Sequence, residues 1–326
     1  MSEQLQLEKN LQAERASAEL MWNNQARIHN RGRTIGQKLL RQARFSGRDL
    51  MLQEAHAENA VFDARVEARL AAEREHREAL SKPAPKEQAL LSGNIVTQEH
   101  RGGGQMFVTL DNGEEGLYWL YTVYNGSKHL SERAAYLVDK AWQFGLVPST
   151  VMREFTSEHG ITRSSSFQEY VPDAEDSRNI EKFEADERYY DEFYKLFVLN
   201  YSIWNTDQHK GNVVASDKIY SIDHEHSFWE NKDRWRHSFL DVYVLGAPAP
   251  KEVVEQAEAF LEDPARQEVL EEQLRSELHY PEEIIQSCLA RIRHISAILT
   301  TKGRIDSTEE LAGYHPEDSP ALAATA

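Results

Sequence analysis

The sequence has little cysteine, no long apolar run and a deficit of basic residues. Its one cysteine, Cys288, has no second cysteine with which to form an internal disulfide. No segment approaches the roughly 18 apolar residues of a membrane helix, and the amino terminus lacks the apolar core of a signal peptide. These absences predict a cytoplasmic protein without a transmembrane segment.

The charge balance excludes one class of partner. The chain has 37 Lys and Arg against 54 Asp and Glu, which gives a formal net charge of −17. Nucleic-acid binding by counterion release needs clustered Lys and Arg, so we expect no nucleic-acid partner. With 326 residues, 40% of them hydrophobic, the chain can form one large domain or two modest ones.

The amino-terminal part differs in composition from the rest. Residues 1–80 contain no proline and are rich in Ala, Glu, Arg, Gln and Leu, which predicts a helical extension. Two interpretations of this extension stay open: an arm that recruits a protein partner, and a solvated helix without one. Residues 81–91 begin with the run Ser81-Lys82-Pro83-Ala84-Pro85 and predict a linker.

Residues 92–171 are dominated by β-type patterns. Runs at 94–97, 106–110 and 117–124 are rich in β-branched and aromatic residues and are separated by glycine-containing turns, one of them at 102–104. A helix is predicted over 131–144 with Ser131 as its N-cap, and a strand over 165–172 ends at a proline. The glycines at 102–104 could cover phosphates with backbone amides or form an ordinary loop.

Residues 172–305 are predicted to be mainly helical and 306–326 to be a flexible acidic tail. Helices are expected at 189–204, 251–262, 264–277 and 281–300. Together with the preceding β-rich region, this arrangement predicts an α+β fold.

A β-hairpin is predicted in the carboxyl-terminal region. The runs 213–215 and 219–222 are separated by the turn residues 216–218, so Asn212 should lie beside Asp223. Asp207 precedes Asn212 by five positions, as a catalytic Asp precedes a metal-binding Asn in kinases. The alternative is a polar hairpin whose Asp and Asn residues only cap turns.

These residues carry a family resemblance. Asp207-Gln-His-Lys-Gly-Asn212 and Ile222-Asp-His224 resemble the Asp-x-His-x-x-Asn and Ile-Asp-(Phe/His)-Gly pair of the phosphatidylinositol 3-/4-kinase-like family, including its bacterial branch. The run 131–154 is also similar to that branch. The resemblance implies a two-lobed protein-kinase-like fold, with an N-lobe at 92–171 and a C-lobe at 172–305, that binds ATP and Mg²⁺.

The resemblance implies a role for each residue of the hairpin and its loop. Asp207 would orient or deprotonate a hydroxyl of the acceptor substrate, and Asn212 and Asp223 would hold metal. His209 would support the loop or touch a phosphate; a buried structural histidine is the alternative.

Other predicted site residues lie earlier in the chain. Glu132 would pair with the lysine that orients the nucleotide; alternatively, it is an exposed helical residue that serves its own amino terminus. By the same resemblance, 165–172 is the hinge between lobes, and adenine would meet its backbone at Gln168, Glu169 and Val171.

The sequence departs from the family pattern at one position. The strand before the helix of Glu132 has no lysine, and Thr122 stands where that lysine is expected. Lys128 is the nearest substitute in the sequence. We therefore expect a phosphotransferase that acts on a hydroxyl of a protein or small molecule rather than a lipid, with two alternatives: a pseudokinase that binds a nucleotide or partner without transfer, and an enzyme that transfers AMP.

A third hypothesis is a hydrolase that holds a transition metal. Mixed sets of histidine and carboxylate ligands support such chemistry. The candidate ligands are Asp207, His209, Asp223, His224 and His226.

Overall fold

The computed structural model describes residue 38 and residues 49–102, 104–119, 128–156, 160, 162–176, 189–216, 218–228 and 239–312. The chain divides into two compact units, Met1–Ala79 with Glu317–Ala326, and Leu80–Pro316. Helix α1 (Asp49–Ser81, 33 residues) supplies the described part of the first unit. It carries the exposed ion pair Arg69–Glu73 at helical spacing (2.7 Å). This part of the predicted helical extension is therefore helical.

An antiparallel sheet forms the first half of the second unit. Its strands are β1 (Ile95–Gly102), β2 (Gln105–Leu110), β3 (Glu115–Trp119), β4 (Thr150–Thr156) and β5 (Thr162–Glu169), in the order β1-β2-β3-β5-β4. Val108, Tyr118 and Phe167 are buried between its strands and neighbouring segments. The sheet and the helices that follow confirm an α+β fold.

The linker predicted at 81–91 is wrong for most of its length. Helix α2 (Pro85–Ser92) lies there, with a proline in its first turn. Glu87 accepts a hydrogen bond from the Ala84 N–H (2.7 Å), and Leu90 is fully buried. Proline favours the first helical turn because it needs no N–H donor there, so Pro85 begins a helix rather than continuing a linker.

Helix α3 (Lys128–Trp142) connects β3 to β4 in the chain. The prediction that Ser131 is its N-cap is wrong, because the helix begins three residues earlier. Ser131 is buried instead, and its Oγ lies 3.3 Å from the Ser227 carbonyl oxygen and 3.3 Å from the Tyr280 hydroxyl. This residue therefore joins α3 to later parts of the chain.

The remaining elements form a mainly helical region. They are β6 (Glu175–Asp176), α4 (Tyr190–Ile203), β7 (Val213–Ala215), β8 (Ile219–Ser221), α5 (Asp241–Val244), α6 (Lys251–Glu262), α7 (Pro264–Ser276), α8 (Glu282–Lys302) and α9 (Thr308–Ala312). Strands β6, β7 and β8 make a small antiparallel sheet in that order. Predicted and observed helices agree within two residues for α4, α6, α7 and α8.

The tail predicted from residue 306 is packed at its start. Helix α9 lies there, Leu311 is buried, and its carbonyl accepts a hydrogen bond from the Tyr201 hydroxyl (3.0 Å). The rest of the predicted tail falls outside the described residues.

The main core lies among α3, α4, α6, α7 and α8. In α4, the side chains of Phe193, Leu196, Phe197 and Tyr201 recur at helical spacing and are all buried. Trp142 of α3 belongs to this cluster and stacks on Phe144, with ring centroids 5.0 Å apart. Among the described residues, no helix is both long and apolar enough to cross a membrane.

Candidate functional site

The predicted hairpin forms and brings Asn212 to Asp223. Val213 pairs with Ser221 across β7 and β8, and the Ile222 N–H donates to the Asn212 carbonyl (3.0 Å). The Asn212 side-chain Nδ2 donates to the carbonyl oxygens of Asp207 (3.0 Å) and Asp223 (3.4 Å). A single buried amide thus holds the two predicted acidic residues together.

Asn205 shapes the loop that carries Asp207. Its side-chain oxygen accepts the Asp207 N–H (3.0 Å), which makes an Asx turn. The main-chain N–H of Asn205 donates to the Asn200 carbonyl (2.9 Å). Asn205 is 4% exposed, although it lies in a polar loop. Sequence reasoning missed it; an Asn two residues before Asp207 was the available signal.

Asp207 and His209 both face outward. Just over half of the Asp207 side chain is exposed (54%), and its Oδ2 lies 3.9 Å from Nε2 of His226. His209 is exposed, and its Nδ1 accepts the Gly211 N–H (3.0 Å). A Cβ on Gly211 would lie 2.9 Å from the His209 ring, so a larger residue there would displace the ring. The alternative of a buried structural histidine is wrong for His209.

Asp223 occupies a backbone conformation that non-glycine residues rarely adopt. Its φ is 61°, in the left-handed region where Asp and Asn are the most tolerated side chains. Burial raises the pKa of its carboxyl group, and the nearby carboxylates of Glu132 and Glu225 raise it further. Negative charge is therefore concentrated around Asp223.

Glu132 is buried and bonded to the residue after Asp223. Its Oε1 accepts the His224 main-chain N–H (2.6 Å), and its Oε2 lies 3.0 Å from His224 Nδ1. The other ring nitrogen, Nε2, lies 2.9 Å from the Ser221 hydroxyl. The alternative of an exposed helical glutamate is wrong, since Glu132 is 3% exposed. A catalytic serine triad is excluded as well, because Ser221 and His224 are both 0% exposed.

A cavity of about 340 Å³ lies between the five-stranded sheet and the hairpin. Leu117 of β3 lines one side, and Val214 and Ile222 line the other. The predicted residues that line it are Glu132, Gln168, Glu169, Val171 and Asp223. The structure thus gathers these residues around one space. Asn212 is linked to it by the hydrogen bond to the Asp223 carbonyl, and Asp207 is linked to Asn212 in the same way.

Contacts with β4 and the segment before it hold the edge of this cavity. The Glu169 N–H donates to the Ser149 carbonyl (2.8 Å), and Gln168 Nε2 donates to the Thr150 hydroxyl (3.1 Å). The Glu169 carboxylate lies 3.3 Å from Lys86 Nζ. Part of the polar surface predicted to meet adenine is therefore already used within the protein.

Basic side chains are scarce around the cavity. Within the described part of the chain, its lining includes no Lys or Arg. Thr122 lies outside the described residues, and so does the side chain of Lys128, the residue at which α3 begins. The structure therefore leaves the Lys128 prediction untested.

The transition-metal alternative finds no support in the geometry. Across the residues that the structure describes, which include all five candidate ligands, no group of three or more His, Cys, Asp or Glu is arranged to hold a metal. His224 faces Glu132 and Ser221 instead of sharing a centre with Asp207. The contact shown between Asn212 and Asp223 is the hydrogen bond from the Asn212 Nδ2 to the Asp223 carbonyl.

Comparisons of the chain with models of protein families and with curated proteins each gave no match. Its function is therefore inferred from the chemistry of the cavity and its residues.

Proposed function

We propose that the chain is an ATP- and Mg²⁺-dependent phosphotransferase of the phosphatidylinositol 3-/4-kinase-like class, with a two-lobed protein-kinase-like fold. One observation carries the proposal: the Asn212 amide joins Asp207 and Asp223 at a cavity whose far wall is the predicted hinge. Kinases place a catalytic Asp, a metal-binding Asn and a metal-binding Asp around the nucleotide phosphates in the same way. The acceptor is a hydroxyl-bearing protein or small molecule.

The cavity suits a nucleotide in size and in the distribution of polar groups. Its volume of about 340 Å³ lies within the range of ligand sites, roughly 300 to 1,000 Å³. Leu117, Val214 and Ile222 offer apolar surface to a base, whereas Glu132 and Asp223 make another part of the lining polar. Kinases carry their lysine on the third strand and its glutamate partner on the next helix, and Glu132 lies on the helix after β3.

The donor set fits Mg²⁺. This ion takes oxygen ligands and commonly uses one or two carboxylates together with substrate phosphates. Within the described residues, Asn212 makes its side-chain hydrogen bonds through Nδ2, which leaves Oδ1 for a cation, and Asp223 adds a carboxylate. Bound Mg²⁺ would neutralise charge on the phosphates.

The loop residues supply the remaining chemistry. The exposed Asp207 carboxylate can accept a proton from the acceptor hydroxyl and orient it. Since Nδ1 of His209 accepts the Gly211 N–H, a neutral ring carries its proton on Nε2, which can donate to a phosphate oxygen. Asn205 holds the loop in shape through the Asp207 N–H.

A second candidate is a pseudokinase that binds nucleotide without transferring a group. Two observations favour it: the described cavity lining has no Lys or Arg, and both oxygens of Glu132 face His224. Transfer of AMP would use the same cavity and is distinguished by its product.

Thermal unfolding with ATP, with and without Mg²⁺, tests the proposal. We expect ATP with Mg²⁺ to raise the unfolding temperature of the wild type, and ATP alone to raise it less. Asp223→Asn should remove the Mg²⁺ dependence. Mass spectrometry of the protein and of added hydroxyl compounds then separates phosphoryl transfer, AMP transfer and no transfer. Equal stabilisation with and without Mg²⁺ in both proteins would refute the metal assignment.

A further inference from the structure

Glu132 contacts the peptide group that follows the proposed metal ligand Asp223. That peptide unit consists of the Asp223 carbonyl and the His224 N–H. The carbonyl accepts a hydrogen bond from Asn212 Nδ2 (3.4 Å), and the N–H donates to Glu132 Oε1 (2.6 Å). Both polar groups of one peptide are therefore held by side chains that line or adjoin the cavity.

The ring of His224 makes this arrangement rigid. An ionised carboxylate can only accept, so Nδ1–H of His224 donates to Glu132 Oε2 (3.0 Å), and Nε2 lies within hydrogen-bond distance of the Ser221 hydroxyl (2.9 Å). All three residues are at most 3% exposed, and water does not compete for these bonds. The chain of bonds runs from α3 through His224 to the end of β8.

Asp223 needs such support. Its left-handed φ of 61° costs free energy, and the surrounding contacts must offset this cost. With its carbonyl held by Asn212 and the next N–H held by Glu132, the peptide plane is fixed, and the carboxylate starts from a fixed backbone position. Helix α3 is itself anchored, because Arg133 donates to the Glu277 carboxylate (2.7 Å).

We infer that Glu132 is a positioning residue that acts through His224 to place the carboxylate of Asp223 for a divalent cation, and that it needs no lysine partner for this role. The inference rests on the proposed function, because it assumes that Asp223 binds metal. Glu132 can fill this role although the strand before α3 has no lysine. His224 and Ser221 become parts of the metal site without touching the ion.

Titration of the protein with Mn²⁺ alone, followed by the electron paramagnetic resonance signal of free Mn²⁺, tests this role. Residues that orient metal ligands typically change metal affinity by about 10- to 100-fold when mutated. We expect Glu132→Ala to weaken Mn²⁺ binding by about this factor. Glu132→Gln should recover part of the affinity, because its amide oxygen can still accept the His224 N–H.

Three further variants make the result specific. Asp223→Ala should abolish binding at this site. Ser221→Ala should lower affinity less than Glu132→Ala, since it loosens only the far side of the His224 ring. Glu87→Gln is the matched control, a buried carboxylate whose partners are Arg133 and Lys140, and it should leave Mn²⁺ affinity unchanged.

The outcomes separate this inference from the proposed function. If Asp223→Ala abolishes binding and Glu132→Ala does not weaken it, the positioning role is refuted and the metal site stands. An equal loss in Glu87→Gln would also refute the role, because general destabilisation would then explain the effect. If Glu132→Ala does not fold, unchanged affinity in Ser221→Ala overturns the inference. A wild type that binds no Mn²⁺ refutes the proposed function and the inference together.

A lysine partner for Glu132 predicts a different result. If Glu132 served Lys128, the effects of Lys128→Ala and Glu132→Gln on ATP affinity would be strongly non-additive. We expect these effects to add instead. Strong coupling between the two variants would overturn the inference even if Mn²⁺ affinity fell.

Discussion

Two carboxylates near helix α3, those of Glu87 and Asp223, differ in their counter-charges. On one side, Glu87 is 1% exposed and lies 2.7 Å from Arg133 and 2.6 Å from Lys140. Burial alone would raise the pKa of Glu87, but hydrogen bonds from Lys140, Ala84 and Arg133 outweigh burial and lower it. This carboxylate is compensated within the fold.

The cavity end of the helix has the opposite balance. Burial and the neighbouring carboxylates of Glu132 and Glu225 raise the pKa of Asp223. The described cavity lining supplies no Lys or Arg to oppose them. Perturbed groups of this kind concentrate at functional sites, where a ligand or cation supplies the missing charge. The contrast indicates that, among the described residues, basic side chains balance the carboxylate of Glu87, which holds helices together, whereas no Lys or Arg of the cavity lining does so for Asp223.

The largest expected effect concerns chemistry at the cavity. Asp207→Ala should lower the rate of transfer by about 10²- to 10⁴-fold while leaving ATP and Mg²⁺ binding nearly intact, because Asp207 acts on the acceptor. Asn212→Ala should lose binding and transfer together, since a metal ligand serves both the bound state and the transition state. Binding isotherms and single-turnover rates check both. Loss of nucleotide binding in Asp207→Ala would contradict the assignment.

Removing the compensated carboxylate should reduce stability. We expect Glu87→Gln to lower the free energy of unfolding by about 3 kcal/mol, because breaking a buried ion pair leaves an opposing charge without its partner. Chemical denaturation measures the change. Glu252→Gln is the control; its partner Lys195 lies 2.6 Å away, but Glu252 is 55% exposed, and a loss below about 1 kcal/mol is expected. Equal losses would show that burial does not govern the Glu87 pair.

Another buried carboxylate, that of Asp139 on α3, predicts a dependence of stability on pH. Burial raises the pKa of Asp139 from 3.8 to about 6, even though the Leu146 and Val147 N–H groups donate to it. Because the folded pKa lies above the unfolded one, its contribution to stability is fully present below pH 3.8 and is lost as the pH rises through about 6. The difference between a folded pKa of about 6 and an unfolded pKa of 3.8 corresponds to about 3 kcal/mol.

Comparison with Asp139→Asn isolates this contribution. The free energy of unfolding of the wild type, relative to the variant, should fall by about 2 kcal/mol between pH 4 and pH 7, because part of the contribution is already lost at pH 4. Urea titrations at several pH values measure it. A difference that stays constant across this range would show that Asp139 has no raised pKa in the folded protein.

The smallest expected effect is an increase in the free energy of unfolding. Asp223→Asn removes a charge that its neighbours disfavour and keeps a side chain that tolerates a positive φ. Without metal at pH 7, we expect the free energy of unfolding to rise by less than about 1 kcal/mol. Thermal unfolding in a chelator measures it. A clear decrease would mean that Asp223 is compensated like Glu87, and would remove the contrast between the two places.

Local sequence patterns determined four of the helices and the β7–β8 hairpin. Helices α4, α6, α7 and α8 follow from periodic apolar residues, and prolines mark the starts of α6, α7 and α8. The β7–β8 hairpin follows from two short β-type runs around a turn, and it brings Asn212 to Asp223 by chain connectivity alone. Such features depend on neighbours within a few residues, so the sequence predicts them without knowledge of the rest of the fold.

Only the tertiary structure decided which residues far apart in the sequence contact one another. Glu132 and His224 are 92 residues apart, and nothing in the sequence indicated that both oxygens of Glu132 would face His224. Ser131 likewise looked like a helix cap, and it contacts Tyr280 instead. The segment with Pro83 and Pro85 has the composition of a linker. Its packing depends on Arg133 and Lys140 of another helix, and the local sequence does not indicate these partners. Spacing along the chain predicts which groups a hairpin or helix brings together, whereas the partner of a buried charge depends on how whole elements pack.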